Sequence, residues 1–509
     1  MTGGEFRLSF QSEDGSIRTF AAADAGNSGS GGCMAAQDEE ILEKLLEREV
    51  SSIVTDSRKA KEGALFGAIA GARVDGNTFI PAVFEQGAVC VLTERMLTGE
   101  ELFGAGHPAG RRERAWIIVE NTVSALGQIA EEYLRILGTP VIGITGSVGK
   151  TSTKEMIASV LSVKLRTRKT EGNLNNELGL PLSVFGLKAE DEAAVLEMGV
   201  SHFGDMTVRA KIAHPSRMVI TNIGTCHLEY LHDRAGVFRA KTEVFDYLQD
   251  HPQVILNGND DLLRQVKEAG GAAPFFFGVD SRLDGVSDLS AGPVVDYPGS
   301  LPANRCVTVT SIRLLGFEGS ACTIRTPEGE FRVTVPVPGI HNLSNAAAAT
   351  AVGLSFGMSL DEIRKGIESA RTISGRFRIE KAGERTVIDD CYNANPVSMK
   401  SSLKVLSGAG GRRCAILGDM GELGENEISL HEAVGTYAAS CVDHLVTVGP
   451  LSRAMYEAAR KTRPSLSASW YETVEDFLAH AKEEIRKDDT VLVKASHFMQ
   501  FGRIVEALT

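Results

Sequence analysis

The stretch Val141-Ile142-Gly143-Ile144-Thr145-Gly146-Ser147-Val148-Gly149-Lys150-Thr151 constrains the fold more than any other part of the chain, because an apolar run enters a glycine-rich turn that closes on Lys-Thr. Glycines at such a turn let main-chain amides converge on phosphate oxygens, the lysine adds a mobile positive charge, and the threonine hydroxyl suits Mg²⁺. Gly146, Ser147, Gly149, Lys150, Thr151 and Ser152 are therefore candidates for holding a nucleoside triphosphate. A helix starting at Ser152 would aim its N-terminus at the anion. The spacing departs from the strict pattern G-x-x-x-x-G-K-[ST]: Ile144 stands where the first glycine belongs, and Gly143 lies one residue early.

At 509 residues the chain is long enough for about three domains. Its 66 acidic and 53 basic residues leave a formal charge of -13, which argues against a nucleic-acid or anionic-membrane surface as the main partner. An anionic ligand has to be met by a local basic pocket. Eight cysteines are scattered without CxxC spacing, the pattern of a reducing compartment. No basic segment followed by an apolar core opens the chain, and no run of eighteen apolar residues occurs, so the expectation is a soluble, cytoplasmic protein without integral membrane contact.

Residues 1–36 contain a linker-like Gly/Ser tract at 26–32 and are expected to form a flexible tail. Helical spacing of Ile41, Leu42, Leu45 and Leu46 predicts a helix over 39–49, followed by a strand over 52–55. These open a small N-terminal α/β domain over 37–118. Another amphipathic helix over 121–137 leads to the phosphate loop, and short apolar strands at 194–197, 218–221 and 253–256 alternate with helices thereafter. That alternation predicts a parallel sheet covered on both faces. Period-two segments at 306–315, 321–325 and 331–336 read as an antiparallel insertion in this central domain, 119–373. Ser374-Gly375 looks like a hinge, beyond which strands at 386–388, 413–417, 444–448 and 490–493 imply a Rossmann-like C-terminal α/β domain, 374–509.

Several residues after the loop carry candidate chemistry. Glu197 ends a strand where an acidic Mg²⁺ ligand would face the phosphates, although a strand-end glutamate is more often simply solvated. His227 follows another parallel strand, where ligands collect in such sheets; a lone histidine is more often structural. Lys241 lies in a helical stretch and nothing in its spacing distinguishes it from a solvated surface lysine. Two clusters of small polar residues, 339–345 and 388–396, suit binding loops, or alternatively a helix cap and an Asx-rich turn.

Taken together these motifs resemble the Mur ligase family over nearly the whole chain after Met34. The most specific parts are Asp389-Asp390-Cys391-Tyr392-Asn393-Ala394-Asn395-Pro396 and Leu417-Gly418-Asp419-Met420-Gly421-Glu422-Leu423-Gly424 with His431, which point to the branch that adds D-alanyl-D-alanine to UDP-N-acetylmuramoyl-tripeptide. The resemblance implies an ATP-dependent amide ligase of cell-wall synthesis working through an acyl phosphate, with two Mg²⁺ ions. On it, Lys150, His227, Lys241 and Arg376 are catalytic, and Thr151, Glu197, His227 and Lys241 are metal ligands. Lys241 is then the lysine the family carbamylates, a change that turns a cation into an anionic ligand. Asn257, Asp260, Asn342 and Asn345 are placed on the nucleotide, together with Arg376 reaching in from the third domain so that closure assembles the site. Ser57 and Arg58 match the family's UDP-sugar pocket. Asn173, Asn175, Asn176, Asp390, Tyr392, Asn393, Asn395, Lys494 and Ser496 match its contacts to the reacting peptide and dipeptide. Lys494-Ala495-Ser496-His497 departs from the common Lys-Gly-Ser-Arg, which leaves His497 unassigned. The alternatives are another carboxylate-amine ligase of the same family, a phosphate-loop ATPase or kinase that forms no amide, and a non-catalytic nucleotide-binding regulator. A monomer is the expected state.

Overall fold

The computed structural model describes residues 6–11, 17–22, 50–71, 74–98, 115–282 and 296–509. It divides into two compact units, Met1–Gly138 with Gly172–Lys188, and Thr139–Glu171 with Ala189–Thr509.

The first unit is built on a six-stranded sheet in the order Ile17–Ala22, Phe6–Gln11, Ala115–Ile118, Cys90–Thr93, Ala64–Gly67, Ser52–Val54. The last four strands run parallel and the first two form an antiparallel hairpin. Phe66, Ile80, Val83, Phe84 and Trp116 fill one face. The other takes Leu126 and Ala125 from the helix Thr122–Leu137, which Asn121 caps by accepting from Ser124 N (2.8 Å) and Gly138 ends at φ 65°. The short helix Gly179–Phe185 packs against this helix, and Tyr133 OH donates to Leu187 O (2.8 Å). Within the stretch read as a flexible tail, residues 6–11 and 17–22 form paired strands; Thr122–Leu137 buries its apolar stripe in this unit; and 172–188 belongs with it. The helix expected at 39–49 and the tract at 26–32 lie outside the described residues.

The second unit carries two sheets. The larger has nine strands: Gly329–Val335, Ser320–Thr326, Cys306–Leu314, Phe275–Val279, Gln253–Asn257, Arg217–Ile220, Val141–Thr145, Ala193–Glu197, Thr167–Lys169. Seven of these are parallel, so their carboxyl ends gather on one edge, and Val141–Thr145 lies buried between Arg217–Ile220 and Ala193–Glu197. The segment expected as an antiparallel insertion continues this same sheet: Cys306–Leu314 pairs parallel with Phe275–Val279 and antiparallel with Ser320–Thr326. The helices Lys150–Leu161, His341–Ser355 and Leu360–Ser369 cover one face. Ala346 to Ala349 are all buried, since a run of methyl groups lets a helix sit close on both a sheet and its neighbours. The other sheet runs Arg378–Ala382, Arg385–Asp389, Thr490–Lys494, Arg413–Gly418, His444–Val448, Ser467–Tyr471, parallel except for its first, hairpin strand. Among the described residues no helix is long and apolar enough to cross a membrane.

Gly366 sits at a tight helix crossing: a Cβ there would stand 2.4 Å from Val160 Cα. Gly366→Ala is expected to cost about 1–3 kcal/mol through this overlap, read as a lower urea midpoint with nucleotide affinity retained.

Candidate active site

Close backbone approach builds the phosphate loop. Gly146 has φ 147°, and a Cβ there would lie 1.9 Å from Thr221 Oγ1, so no other residue fits. Gly149, at φ 85°, turns the chain into the helix Lys150–Leu161, two residues earlier than the sequence suggests. The neighbouring strand end clamps the loop. Asn222 accepts from Val148 N and donates to Val148 O (both 3.0 Å), Thr221 Oγ1 donates to Val148 O (2.6 Å), and Ser147 Oγ accepts from Gly224 N (2.8 Å). Sequence reasoning missed Asn222, whose signal is an amide at a parallel strand end beside a glycine loop.

At the end of the loop, Thr151 Oγ1 donates to Glu197 Oε2 (3.0 Å) and accepts from an Arg376 amino group (3.2 Å). Both Thr151 and Glu197 are buried. Glu197 is held by its own N–H, which donates to Thr170 Oγ1 (2.9 Å), while the buried Lys154 grips Thr170 O (2.6 Å). Lys150 Nζ donates back to Gly146 O (2.8 Å). The structure thus brings Glu197 and Arg376, both distant in sequence, to the adjacent Lys150 and Thr151.

His227, at φ 53°, meets Glu422, at φ 61°. Its Nδ1 is 2.8 Å from Glu422 Oε2, an ion-pair distance whose angles do not make a hydrogen bond. Two non-glycine residues in the left-handed region facing each other store strain that the surrounding loops must hold. Glu422 belongs to the specific 417–424 motif but had no role in the sequence reading. Lys241 is buried rather than solvated; burial, with Lys150 and Arg209 as neighbouring cations, lowers its amine to about 8.

Beside the loop, an open cleft of about 1230 Å³ is lined by Gly149, Ser152, Asn257, Asn342, Asn345 and Arg376, among others. Asn345 accepts from Thr153 Oγ1 (2.8 Å) and donates to Asn342 Oδ1 (2.9 Å), tying the alanine-rich helix to the phosphate-loop helix. His341 also lines the cleft, and burial lowers its imidazole to about 4, so it is neutral. The carboxylate of Asp260 accepts from Ile223, Leu262 and Leu263 N–H, and its neighbour Asn259 lines the cleft.

Other candidates make contacts within the protein, and some are exposed. Lys494 Nζ donates to Asp390 Oδ2 (2.7 Å) and to the carbonyls of Asn393 (3.0 Å) and Asp390 (3.3 Å), which occupies the ammonium in holding the 389–396 turn. Asn395 caps the helix Pro396–Ser407 through Ser398 N (2.9 Å), and Ser496 Oγ accepts from Gly421 N (2.9 Å). Asn393 is exposed, its Oδ1 taking Ala394 N. Tyr392 lies under Arg376, ring centroid to guanidinium carbon 4.0 Å. In the first unit, Ser57 opens a 3-10 turn and Arg58 is exposed, pairing with Asp56 (2.8 Å) and thereby lowering that carboxyl to about 2. There too Asn173 and Asn175 bond each other and Asn176 accepts from Gly179 N (2.7 Å).

A glycine cradle, a lysine, a Thr–Glu pair and an incoming arginine define a phosphate-loop α/β protein with a second Rossmann-like sheet completing its nucleotide cleft. Family models described as Mur ligase middle domain, Mur ligase glutamate ligase domain and Mur ligase family catalytic domain match residues 144–353, 375–497 and 49–134. The UDP-N-acetylmuramoyl-tripeptide--D-alanyl-D-alanine ligase of Bacillus subtilis is 34% identical over 464 residues, covering 90% of this chain and 93% of its own. A crystal structure of MurF from Acinetobacter baumannii superposes with a TM-score of 0.77 at 32% identity, covering 90% of this chain and 93% of that one. The MurF ligase of Thermotoga maritima in complex with ADP gives 0.73 at 27% identity, with 91% and 97% covered. The chain belongs to the Mur ligase family.

Gly146→Ala is expected to weaken ADP binding by about tenfold or more, about 1.4 kcal/mol, because the new methyl displaces Thr221 and with it Val148. Calorimetric titration with ADP, beside an unchanged far-ultraviolet circular dichroism spectrum, checks this.

Proposed function

We propose that this protein is an ATP-dependent ligase that adds D-alanyl-D-alanine to UDP-N-acetylmuramoyl-tripeptide in peptidoglycan synthesis. The observation that carries the reading is the meeting of Arg376 with Thr151 and Glu197 at the phosphate loop, in a chain that covers nearly the full length of ligases of this name.

In this mechanism ATP lies in the cleft with its phosphates on the Gly146–Thr151 amides. A tripeptide carboxylate oxygen attacks the γ-phosphorus, the bond to the β–γ bridging oxygen breaks, and an acyl phosphate and ADP result. The amine of D-Ala-D-Ala then attacks the acyl carbon, phosphate leaves, and the amine gives up a proton. Both steps crowd negative charge, so Lys150 and Arg376 act by position and electrostatic stabilisation, and no protein nucleophile is required.

The residues present fit Mg²⁺. Thr151 hydroxyl and Glu197 carboxylate are adjacent hard oxygens, and no group of three His, Cys, Asp or Glu side chains forms a closed cage among the described residues. A pair of hard oxygens at the phosphate loop leaves room for an ion that keeps waters and phosphate oxygens as ligands. Bound there, and at His227 with Lys241, two ions would supply charge neutralisation for the phosphates. Lys241 suits carbamylation because burial already favours its neutral amine, the form that adds CO₂. Asn257, Asn342 and Asn345 serve the nucleotide. Ser57 and Arg58 take the UDP-sugar, and the Asn173–Asn176 loop with the 390–395 turn, Lys494 and Ser496 form or support the peptide and dipeptide contacts. A cytoplasmic monomer is part of the same reading.

Phosphate release from ATP is expected only with both UDP-N-acetylmuramoyl-tripeptide and D-Ala-D-Ala present, with the pentapeptide product seen by mass; hydrolysis indifferent to the dipeptide, with no amide, would favour an ATPase instead. Lys241→Ala is expected to lose activity by about 100-fold or more and to regain part of it with formate or acetate. Full activity of the untreated variant would remove the carbamate.

A further inference from the structure

Arg376 reaches the phosphate loop with little to hold it. One amino group donates to Thr151 Oγ1 at 3.2 Å, and its Nε is buried without a hydrogen-bond partner. What remains is Tyr392: its ring centroid lies 4.0 Å from the guanidinium carbon, well inside cation–π range, and its phenolic hydroxyl also bonds the guanidinium. The backbone on both sides of Arg376 is pinned to the same turn that carries this ring. Tyr392 N donates to Gly375 O (3.1 Å), Gly375 N donates to Asp389 Oδ2 (2.7 Å), and Phe377 N donates to Asp390 Oδ1 (3.1 Å). Gly375 has φ 75°, and a Cβ there would stand 3.0 Å from Tyr392 Cβ, so the approach of turn and ring needs this glycine. His497 meets the ring edge-on, with centroids 5.8 Å apart and planes at 62°. Burial raises the phenol above its usual value, which keeps the ring uncharged.

We propose that Tyr392 is a positioning residue for Arg376: its ring face sets the guanidinium against Thr151, so this tyrosine governs activation of the carboxylate by ATP rather than capture of the incoming dipeptide. The proposal rests on the ligase reading above and departs from the role that the family resemblance implies for Tyr392. One face of the ring is already covered by the arginine, and the pinned turn carries both partners as one piece. The phenolic oxygen adds a second contact to the same guanidinium, beside the ring face that carries most of the hold.

The test compares Tyr392→Phe, Tyr392→Leu, Arg376→Ala and Tyr392→Leu/Arg376→Ala in the full chain. Steady-state parameters are measured for ATP and D-Ala-D-Ala separately, and ADP affinity by calorimetry with no other substrate. Tyr392→Phe, which keeps the ring face and loses only the hydroxyl contact, is expected to lose much less activity than Tyr392→Leu. Tyr392→Leu, which fills the space without a ring face, should lower kcat and weaken ADP by about tenfold, with the KM for D-Ala-D-Ala unchanged and no further loss in the double variant beyond Arg376→Ala. A raised dipeptide KM with nucleotide parameters intact, a loss in Tyr392→Phe equal to that in Tyr392→Leu, or additive effects in the double variant would each overturn the proposal. Failure of the ligase reading shows separately, as wild-type protein that forms no amide, and the ADP titrations still report on the Tyr392–Arg376 pairing in that case.

Discussion

The hydroxyl of Thr151 is the junction on which the site depends. It donates to Glu197 and accepts from Arg376, and so joins the phosphate loop, the neighbouring parallel strand and the polypeptide beyond Gly375 at one oxygen. Each partner has its own support. Glu197 is fixed by Thr170, itself gripped by the buried Lys154; Arg376 sits between Thr151 and the ring of Tyr392. In a water-poor setting such charged groups interact strongly, and misplacing one leaves the others unsatisfied.

The two sheets of the second unit converge on this junction by a shared rule. Parallel strands deliver their carboxyl-terminal turns to one edge, and both sheets place their polar residues there: Glu197, Thr221 and Asn257 from one, Asp389, Asp390 and Lys494 from the other. Much of that polarity serves to hold turns. Lys494 with Asp390, and Asn395 with Ser398, satisfy main-chain and side-chain groups that would otherwise be orphaned, and thereby keep the turn carrying Tyr392 in one shape. Cationic groups are few and local, which is how a chain of net charge -13 accommodates a polyanionic ligand.

Much of this was legible in the residues. The phosphate loop, the buried strand before it, the alternation that follows and the Rossmann-like end all appear where periodicity and the Gly-Lys-Thr sequence put them. Lys241 was misread by spacing alone, because helical position does not report burial; the family resemblance corrected the reading, and the structure shows the amine enclosed. Asp260 matched a nucleotide-contacting motif, and its carboxylate accepts from three backbone N–H groups, a local turn interaction that no pattern distinguishes from ligand binding. The antiparallel strands were found, but not their attachment to the main sheet, since edge pairing depends on register with Phe275–Val279 rather than on local composition.

By itself the sequence determined the elements whose cause is local: a glycine cradle that only glycine permits, strands set by apolar runs, caps such as Asn121, and family membership through motifs spread along the chain. The tertiary structure alone decided which polar groups are free for chemistry and which are spent on holding the fold. It set Arg376 between Thr151 and Tyr392, faced Glu422 toward His227, and assigned the 172–188 segment to the first unit. The physical reason is that a side chain's role follows from its partners and its burial, and both are fixed only when residues distant in sequence pack together.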